Sequence, residues 1–153
     1  MNITLESIKT EQSKLAQMIA KIEEDMKKPA FFEHQGKRIP LEHGEQYVGA
    51  IISADGSRNH HIILLPGEVE KKTWQDAMKW AAGIGGELFD RCEGALLFAT
   101  MKAEFKEAWY WAREQHASNS YYAWAQDFYY GYQNNDTKSA ELRARAVRRL
   151  VIE

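Results

Sequence analysis

The residue types that most often bind metal ions are few and scattered in this chain. Glu33, His34 and His43 fall in one loop-rich segment, where a metal cluster is conceivable but exposed polar loop residues are the simpler interpretation. His60 and His61 are adjacent at the start of a predicted strand, so their side chains point to opposite faces and cannot share a metal. We therefore expect no metal site and no cofactor.

Patterns for nucleophilic catalysis and phosphate binding are equally weak. Cys92, the single cysteine, stands in the first turn of a predicted helix, with no histidine near it in the sequence. A half-buried structural cysteine is the expected state. The segment "GIGGELF" follows a helix instead of a strand and lacks the lysine of a phosphate-binding loop. These patterns predict a protein that is not an enzyme.

The segment 118–139 has the composition of a binding surface. It holds five of the seven tyrosines together with Ser, Asn, Gln and Gly, and almost no aliphatic residue. Tyrosine offers a large amphipathic contact at low entropic cost, while Ser and Asn adapt their hydrogen bonds. The alternative is that several tyrosines pack between short strands. We expect one exposed ligand-binding face made of Tyr121, Gln126, Asp127, Tyr129, Tyr130, Tyr132, Asn134 and Asn135. Trp111, Trp124 and Phe128 should pack beneath it, with a strand bulge near Gly131.

A cluster of arginines near the C-terminus could suit an anionic partner. Arg143, Arg145, Arg148 and Arg149 lie on a predicted final strand. The favoured alternative is that they face solvent or pair with Glu141 and other carboxylates, because the formal net charge of the chain is −2. A net acidic chain also disfavours nucleic acid as the partner.

The elements that must position these residues begin with a long helix. Apolar residues recur at alternating steps of three and four with one polar interruption, which is a heptad seam of three repeats. Its positions are Leu5, Ile8, Gln12, Leu15, Ile19, Ile22 and Met26. We expect this helix to self-associate, with a trimer slightly favoured over a dimer. An amphipathic helix packed on its own domain is the alternative.

The rest of the chain alternates strand and helix signals. The runs 47–52 and 61–65 predict a hairpin around an Asp-Gly turn. Thr73 and Asp90 have the residue types of helix N-caps, and Glu93 completes a capping box. A stripe of Trp74, Ala77, Met78 and Ala81 should be the buried face of the first of these two helices. Short strands follow from residue 109. The order predicts an α+β fold in 153 residues, and no apolar run approaches membrane-spanning length.

The C-terminal half resembles the Lcl C-terminal family, a domain family of unknown function. That family is a branch of the C-type-lectin-like fold, related to the formylglycine-generating enzymes. The resemblance rests on "TWQDAMKWAAGIGGEL", "GALLFATMKAEF" and "WYWAREQHASNSYYAWAQDFYYGYQNNDTKSAELRARAVRR". It covers roughly residues 73–150 and implies a C-type-lectin-like domain over 29–153, with an N-terminal hairpin, preceded by a coiled-coil helix over 1–28.

Two departures from the family pattern limit what can be carried over. The family's Leu-Pro-Thr before the second helix is "LFD" at Leu88–Asp90, and its Tyr-Trp-Ser-Ser is "YWAR", which adds a cation at Arg113. The formylglycine-generating relatives use cysteines for their chemistry. Cys92 lies alone and on a different element, so that activity is not expected here.

The resemblance also implies a function. In retroelement-diversified phage receptor-binding proteins, a C-type-lectin-like domain displays variable residues on the segment that resembles 118–136. It implies a phage-type, non-enzymatic, homo-oligomeric protein that binds a protein or glycan target. The alternative is an intracellular phage inhibitor of a host factor such as a defence complex. We expect synthesis in the cytoplasm of a bacterial host without a signal peptide, and no membrane partner. Association with the virion stays open.

Overall fold

The computed structural model describes residues 3–28 and 30–152, in which three α-helices and eleven strands form a mixed α+β structure with three sheets. The α+β class predicted from the order of elements is confirmed. The chain divides into two compact units, Met1–His43 and Gly44–Glu153. Among the described helices, none combines the length and the apolar character needed to cross a membrane.

The first unit contains the predicted long helix, α1, over Leu5–Lys27. Thr4 caps it: the Thr4 hydroxyl accepts a hydrogen bond from the Ser7 backbone N–H at 3.1 Å, and the Ser7 hydroxyl binds the Thr4 N–H in return. No residue of α1 is buried, so its whole apolar stripe is exposed in the single chain. The helix is confirmed, while its self-association stays a prediction.

A hairpin follows where the sequence indicated only a loop-rich segment. Strands β1 (Ala30–His34) and β2 (Lys37–Leu41) pair antiparallel. Gln35 and Gly36 join them with φ angles of 50° and 75°. Two successive positive φ angles give a turn whose twist matches that of paired strands. The loop expectation for this segment is therefore wrong.

The second unit is built on two sheets. The four-stranded sheet has the order β3-β4-β11-β6, formed by Gln46–Ile52, Asn59–Leu64, Ala146–Val151 and Glu87–Leu88. The five-stranded sheet has the order β5-β10-β7-β8-β9, formed by Val69–Lys72, Leu142–Ala144, Trp109–Gln115, Tyr122–Asp127 and Gln133–Thr137. The predicted first hairpin is confirmed as β3 and β4.

Two helices cover the sheets of this unit. Helix α2 (Trp74–Gly83) begins after Thr73, as predicted, and buries Ala77 and Ala81. Met78 was expected on the same face but is exposed, and Trp80 packs against the core instead. Helix α3 (Arg91–Met101) begins with the predicted capping box of Asp90 and Glu93. A short 3₁₀ turn, Lys102–Glu104, follows α3.

The predicted final strand is split between the two sheets. Strand β10 belongs to the five-stranded sheet and β11 to the four-stranded sheet, with Arg145 between them. The Arg145 side chain is buried and donates to the carbonyl oxygens of Glu104 at 2.7 Å and Leu65 at 2.8 Å. These two hydrogen bonds hold the chain in place where it passes from the five-stranded sheet to the four-stranded sheet.

Candidate functional site

Three exposed tyrosines meet in the turn between β8 and β9, residues 128–132, which we call the tyrosine turn. Tyr129, Tyr130 and Tyr132 are 46%, 68% and 64% exposed. The Tyr129 and Tyr130 rings meet edge to face with centroids 4.2 Å apart, and the Tyr130 and Tyr132 centroids lie 5.8 Å apart. The turn therefore presents a continuous aromatic patch.

Buried polar side chains hold the backbone of this turn. The two carboxylate oxygens of Asp127 accept hydrogen bonds from the N–H groups of Tyr129 and Tyr130, each at 2.9 Å. The Gln126 amide donates to the carbonyl oxygens of Asp127 at 2.9 Å and Tyr132 at 3.3 Å. Both side chains were expected on the exposed face, and that expectation is wrong. Their burial is offset by these bonds, which satisfy the N–H groups of Tyr129 and Tyr130 and add to the backbone bond from the Asp127 N–H to the Tyr132 carbonyl oxygen at 2.8 Å.

Gly131 lets the tyrosine turn lie against helix α3. Its φ angle is +87°, and a Cβ at this position would lie 2.5 Å from the Phe98 ring. Lys102 then donates a hydrogen bond to the Tyr129 carbonyl oxygen at 3.2 Å. Strand β8 ends at Asp127, so the expected strand bulge near Gly131 is a chain reversal instead.

The remaining predicted contact residues lie elsewhere on the sheet. Tyr121 is 78% exposed but precedes β8, whereas the tyrosine turn follows it, so a six-residue strand of roughly 20 Å separates them. Asn134 and Asn135 lie on β9, an edge strand, the first exposed and the second half-buried. The Asn134 side chain accepts a hydrogen bond from the Asn135 N–H at 2.9 Å, and Asp136 does the same for Thr137 at 2.7 Å. The expected single face is thus divided.

The aromatic side chains expected beneath the surface fall in two core clusters, Phe128 in one and Trp111 in the other. Trp111 and Phe128 are fully buried, and the Phe128 ring stacks on Phe105 with centroids 3.8 Å apart. Trp124 is half-buried, and the Arg91 guanidinium lies over its ring at 3.5 Å. Phe128, the first residue of the turn, therefore anchors the turn in the core.

A polar cavity of about 700 Å³ adjoins the tyrosine turn at Gly131. Its charged lining residues are Arg58, Arg91, Arg113, Arg149, Asp90 and Glu114. Sequence reasoning missed this cavity, because its residues come from a hairpin, a helix and three other strands. Cys92 also lines it and is exposed, so the expected half-buried cysteine is wrong.

The C-terminal arginines form ion pairs and hydrogen bonds with other elements instead of one basic patch. Their carboxylate partners are Glu68 and Glu70 for Arg143, Glu45 for Arg148, and Glu87 and Glu93 for Arg149. The favoured expectation of ion pairing is confirmed, although Glu141 is not among these partners.

His60 and His61, which are adjacent in the sequence, contact different partners. His60 contacts the Glu93 carboxylate at 3.0 Å and His61 contacts the Tyr47 hydroxyl at 2.7 Å, which confirms that the two point to opposite faces. Within residues 3–28 and 30–152, no three His, Cys, Asp or Glu side chains are grouped closely enough to hold a metal ion.

Comparison with models of known protein families and with curated proteins finds no match to this chain. The resemblance to the Lcl C-terminal family therefore stays a prediction from motifs.

Proposed function

We propose that this chain is a non-enzymatic binding protein of phage type whose contact surface is the tyrosine turn. The observation that carries the proposal is the combination of three exposed tyrosine rings with a backbone held by buried Asp127 and Gln126. Exposed tyrosine rings contribute little to the stability of the fold. Stability alone therefore does not account for three of them on one well-supported turn. Its target is a protein or a glycan.

The physical advantage of this arrangement is pre-organisation. Binding normally costs the entropy of ordering loops and side chains, and a turn that is already ordered avoids part of that cost. Tyrosine is among the residue types that carry most of the free energy at binding hot spots. A small rigid patch can therefore supply useful affinity.

Helix α1 supports a multivalent form of this function. Its exposed apolar residues include Leu5, Leu15 and Ile22, at 66%, 58% and 57% exposure. Association of this stripe between copies would bury it and bring several tyrosine turns together. We include a homo-oligomeric coiled coil in the proposal.

A C-type-lectin-like fold for the second unit is also part of the proposal. The motifs behind the resemblance fall on α2, α3, the aromatic strands β7 and β8, and the closing strand β11, in that order. Strand β11 returns to pair with β4, near the start of the unit. This order of elements supports the resemblance.

The test compares tyrosines inside and outside the turn. Wild-type protein selects ligands from a displayed peptide library and from a glycan array, and affinity for each ligand is then measured for variants. Tyr130→Ala and Tyr129→Ala should each weaken binding by about 2 kcal/mol, roughly 30-fold, because central interface tyrosines lose this much on truncation. Melting temperatures should be unchanged, since both side chains are exposed.

Tyr121→Ala is the matched control, because Tyr121 is equally aromatic and more exposed but lies beyond the other end of β8. It should leave affinity unchanged. Equal losses at Tyr121 and Tyr130, or no ligand whose binding depends on the turn, would contradict the proposal.

A further inference from the structure

Arginines outnumber carboxylates among the residues that line the cavity beside the tyrosine turn, while Glu87 and Glu93, which contact Arg149 from outside the lining, balance the formal charge. Four arginines line it against the carboxylates of Asp90 and Glu114. Two of the arginines are neutralised by carboxylates. Arg58 pairs with Asp90, and Arg149 forms a bidentate hydrogen-bonded ion pair with buried Glu93. The other two, Arg91 and Arg113, are less compensated.

The Arg91 side chain is held by neutral partners, while the Arg91 backbone N–H donates to the Glu114 carboxylate. Its guanidinium lies over the Trp124 ring at 3.5 Å, and its Nε donates to the Gln133 side-chain oxygen at 3.1 Å. Gln133 is fixed in turn by a 2.6 Å hydrogen bond to the Arg91 carbonyl oxygen. Among the described residues, no carboxylate pairs with the Arg91 side chain. Its terminal nitrogens are therefore ordered and available as donors.

Arg113 is available for a different reason. Its side chain is 45% exposed, and its carboxylate partner is Glu87 at 3.6 Å. Glu87 is itself 63% exposed and also contacts Arg149. An ion pair this open to water contributes little, so Arg113 can exchange Glu87 for a ligand at low cost.

We propose that this cavity binds a carboxylate side chain of a protein partner, with Arg91 and Arg113 as its donors. The inference rests on the proposed function, because the cavity adjoins the tyrosine turn at Gly131 and one partner would cover both. Guanidinium groups form paired hydrogen bonds with carboxylates. Adjacent tyrosines, arginine and tryptophan are the composition of protein interface hot spots, which favours an acidic protein surface over a sulfated sugar.

The test is a titration followed by NMR at the arginine Nε–H groups. The probes are an end-capped hexapeptide of alternating Ala and Glu, the same peptide with Gln for Glu, and a sulfated disaccharide. The Glu peptide should shift the Arg91 and Arg113 signals, and the Gln peptide should not. Arg113→Gln should weaken binding of the Glu peptide about tenfold, as loss of a charge-assisted hydrogen bond predicts.

Arg91→Lys keeps the charge but removes the paired donors, and should weaken the same peptide to a similar degree. Arg91→Lys could also disturb the packing on Trp124. Arg113→Gln changes an exposed side chain away from that contact, so its effect on binding can be interpreted by itself. Arg38→Gln removes one positive charge from β2 in the other unit and should have no effect.

Equal shifts with the Gln peptide, preference for the sulfated disaccharide, or unchanged affinity in both cavity variants would overturn the assignment. The two proposals fail separately. If the Glu peptide does not bind the cavity but ligand binding still depends on Tyr130, only the carboxylate site is contradicted. If ligand binding does not depend on Tyr130, the proposed function itself is contradicted.

Discussion

Asp127 satisfies two N–H groups of the tyrosine turn, and Gln126 binds a carbonyl oxygen at each end of it. Residue type alone does not distinguish such supports from contact residues, because Asp and Gln are common in both roles. Burial separates them. In the proposed function the tyrosines make the contact, and these two buried side chains position them.

Gly131 is a position of the turn where any added side chain is strained. Gly131→Ala places a methyl group against the Phe98 ring at a φ of +87°, so backbone strain and steric overlap add. We expect the free energy of unfolding to fall by about 2 kcal/mol or more, from roughly 1 kcal/mol of left-handed strain plus the overlap. Urea unfolding measures this loss, and ligand binding should weaken with it because the turn must shift.

Gly67→Ala is the control for the strain component. Gly67 has a φ of +96°, and a Cβ there would meet no heavy atom within 4 Å. It should cost only about 1 kcal/mol and leave ligand binding intact. A Gly131 variant no less stable than the Gly67 variant would show that the contact with Phe98 does not constrain the turn.

The exposure of Tyr129, Tyr130 and Tyr132 could be predicted from composition, because tyrosines among Ser, Asn and Gly are typical of binding loops. The cavity could not. Arg58, Arg91 and Arg113 are far apart in the sequence, and only the strand pairing and the placement of α3 bring them together.

At the scale of elements, Glu93 links helix α3 to two strands of the four-stranded sheet. It caps α3 by accepting from the Asp90 N–H at 2.8 Å. Its carboxylate also accepts two hydrogen bonds of 2.6 Å from Arg149 on β11, and contacts His60 on β4. One buried side chain therefore carries both a local and a long-range role.

Glu93 should make stability dependent on acid pH. Burial raises the pKa of Glu93, but hydrogen bonds and charge from Arg149, with the Asp90 N–H, outweigh it, so the folded pKa lies below its ordinary value. A lowered folded pKa gives stability that is present above the unfolded value of about 4.3 and lost as pH falls through the folded value. The urea concentration at the unfolding midpoint of the wild type should therefore decrease as the pH is lowered below about 4.3.

Glu93→Gln tests this assignment. The variant should lose about 3 kcal/mol at pH 7, because it leaves a buried arginine partly unpaired, and its midpoint should fall less steeply in acid. Glu107→Gln, at an exposed position, is the matched control and should keep the wild-type profile. Parallel acid profiles for wild type and Glu93→Gln would assign the acid sensitivity to other carboxyl groups.

Helix α1 provides a separate test at this scale. Ile19→Asp with Ile22→Asp places two charges in the exposed stripe and should convert an oligomer into a folded monomer, because a buried charge disrupts a coiled-coil seam. Sedimentation velocity measures the mass. Gln17→Asp with Lys21→Gln changes the net charge equally but lies off the seam, and should stay oligomeric. A monomeric wild type at tens of micromolar would rule out the seam.

Local signals explain which elements were predictable. Heptad periodicity predicted α1, and the capping box of Asp90 and Glu93 predicted the start of α3. The β1–β2 hairpin was missed because its Gln-Gly turn lacks the common Asn-Gly or Asp-Gly signal. The split of the last strand at Arg145 depends on pairing with distant strands, which local sequence does not reveal.

At the scale of the whole molecule, the two units have different proposed tasks. The second unit has the tyrosine turn and its cavity, and the first presents an exposed apolar helix. A patch of three tyrosines is small beside a stable protein interface, which usually involves about 20 residues a side. Its single-site affinity should therefore be modest, and oligomerisation would compensate by avidity.

Avidity predicts that the monomeric variant loses binding only where targets are clustered. With ligand dense on a surface, Ile19→Asp with Ile22→Asp should weaken apparent affinity by roughly 100-fold or more, because linked sites rebind at high effective concentration. With the same ligand free in solution, wild type and variant should have equal affinity per site, since the tyrosine turn is untouched. Surface plasmon resonance in both orientations measures the two values. The charge-matched Gln17→Asp with Lys21→Gln variant should behave as wild type in each. Equal weakening in solution would mean that the helix contacts the ligand directly, and equal affinity on the dense surface would mean that multivalency has no part in binding.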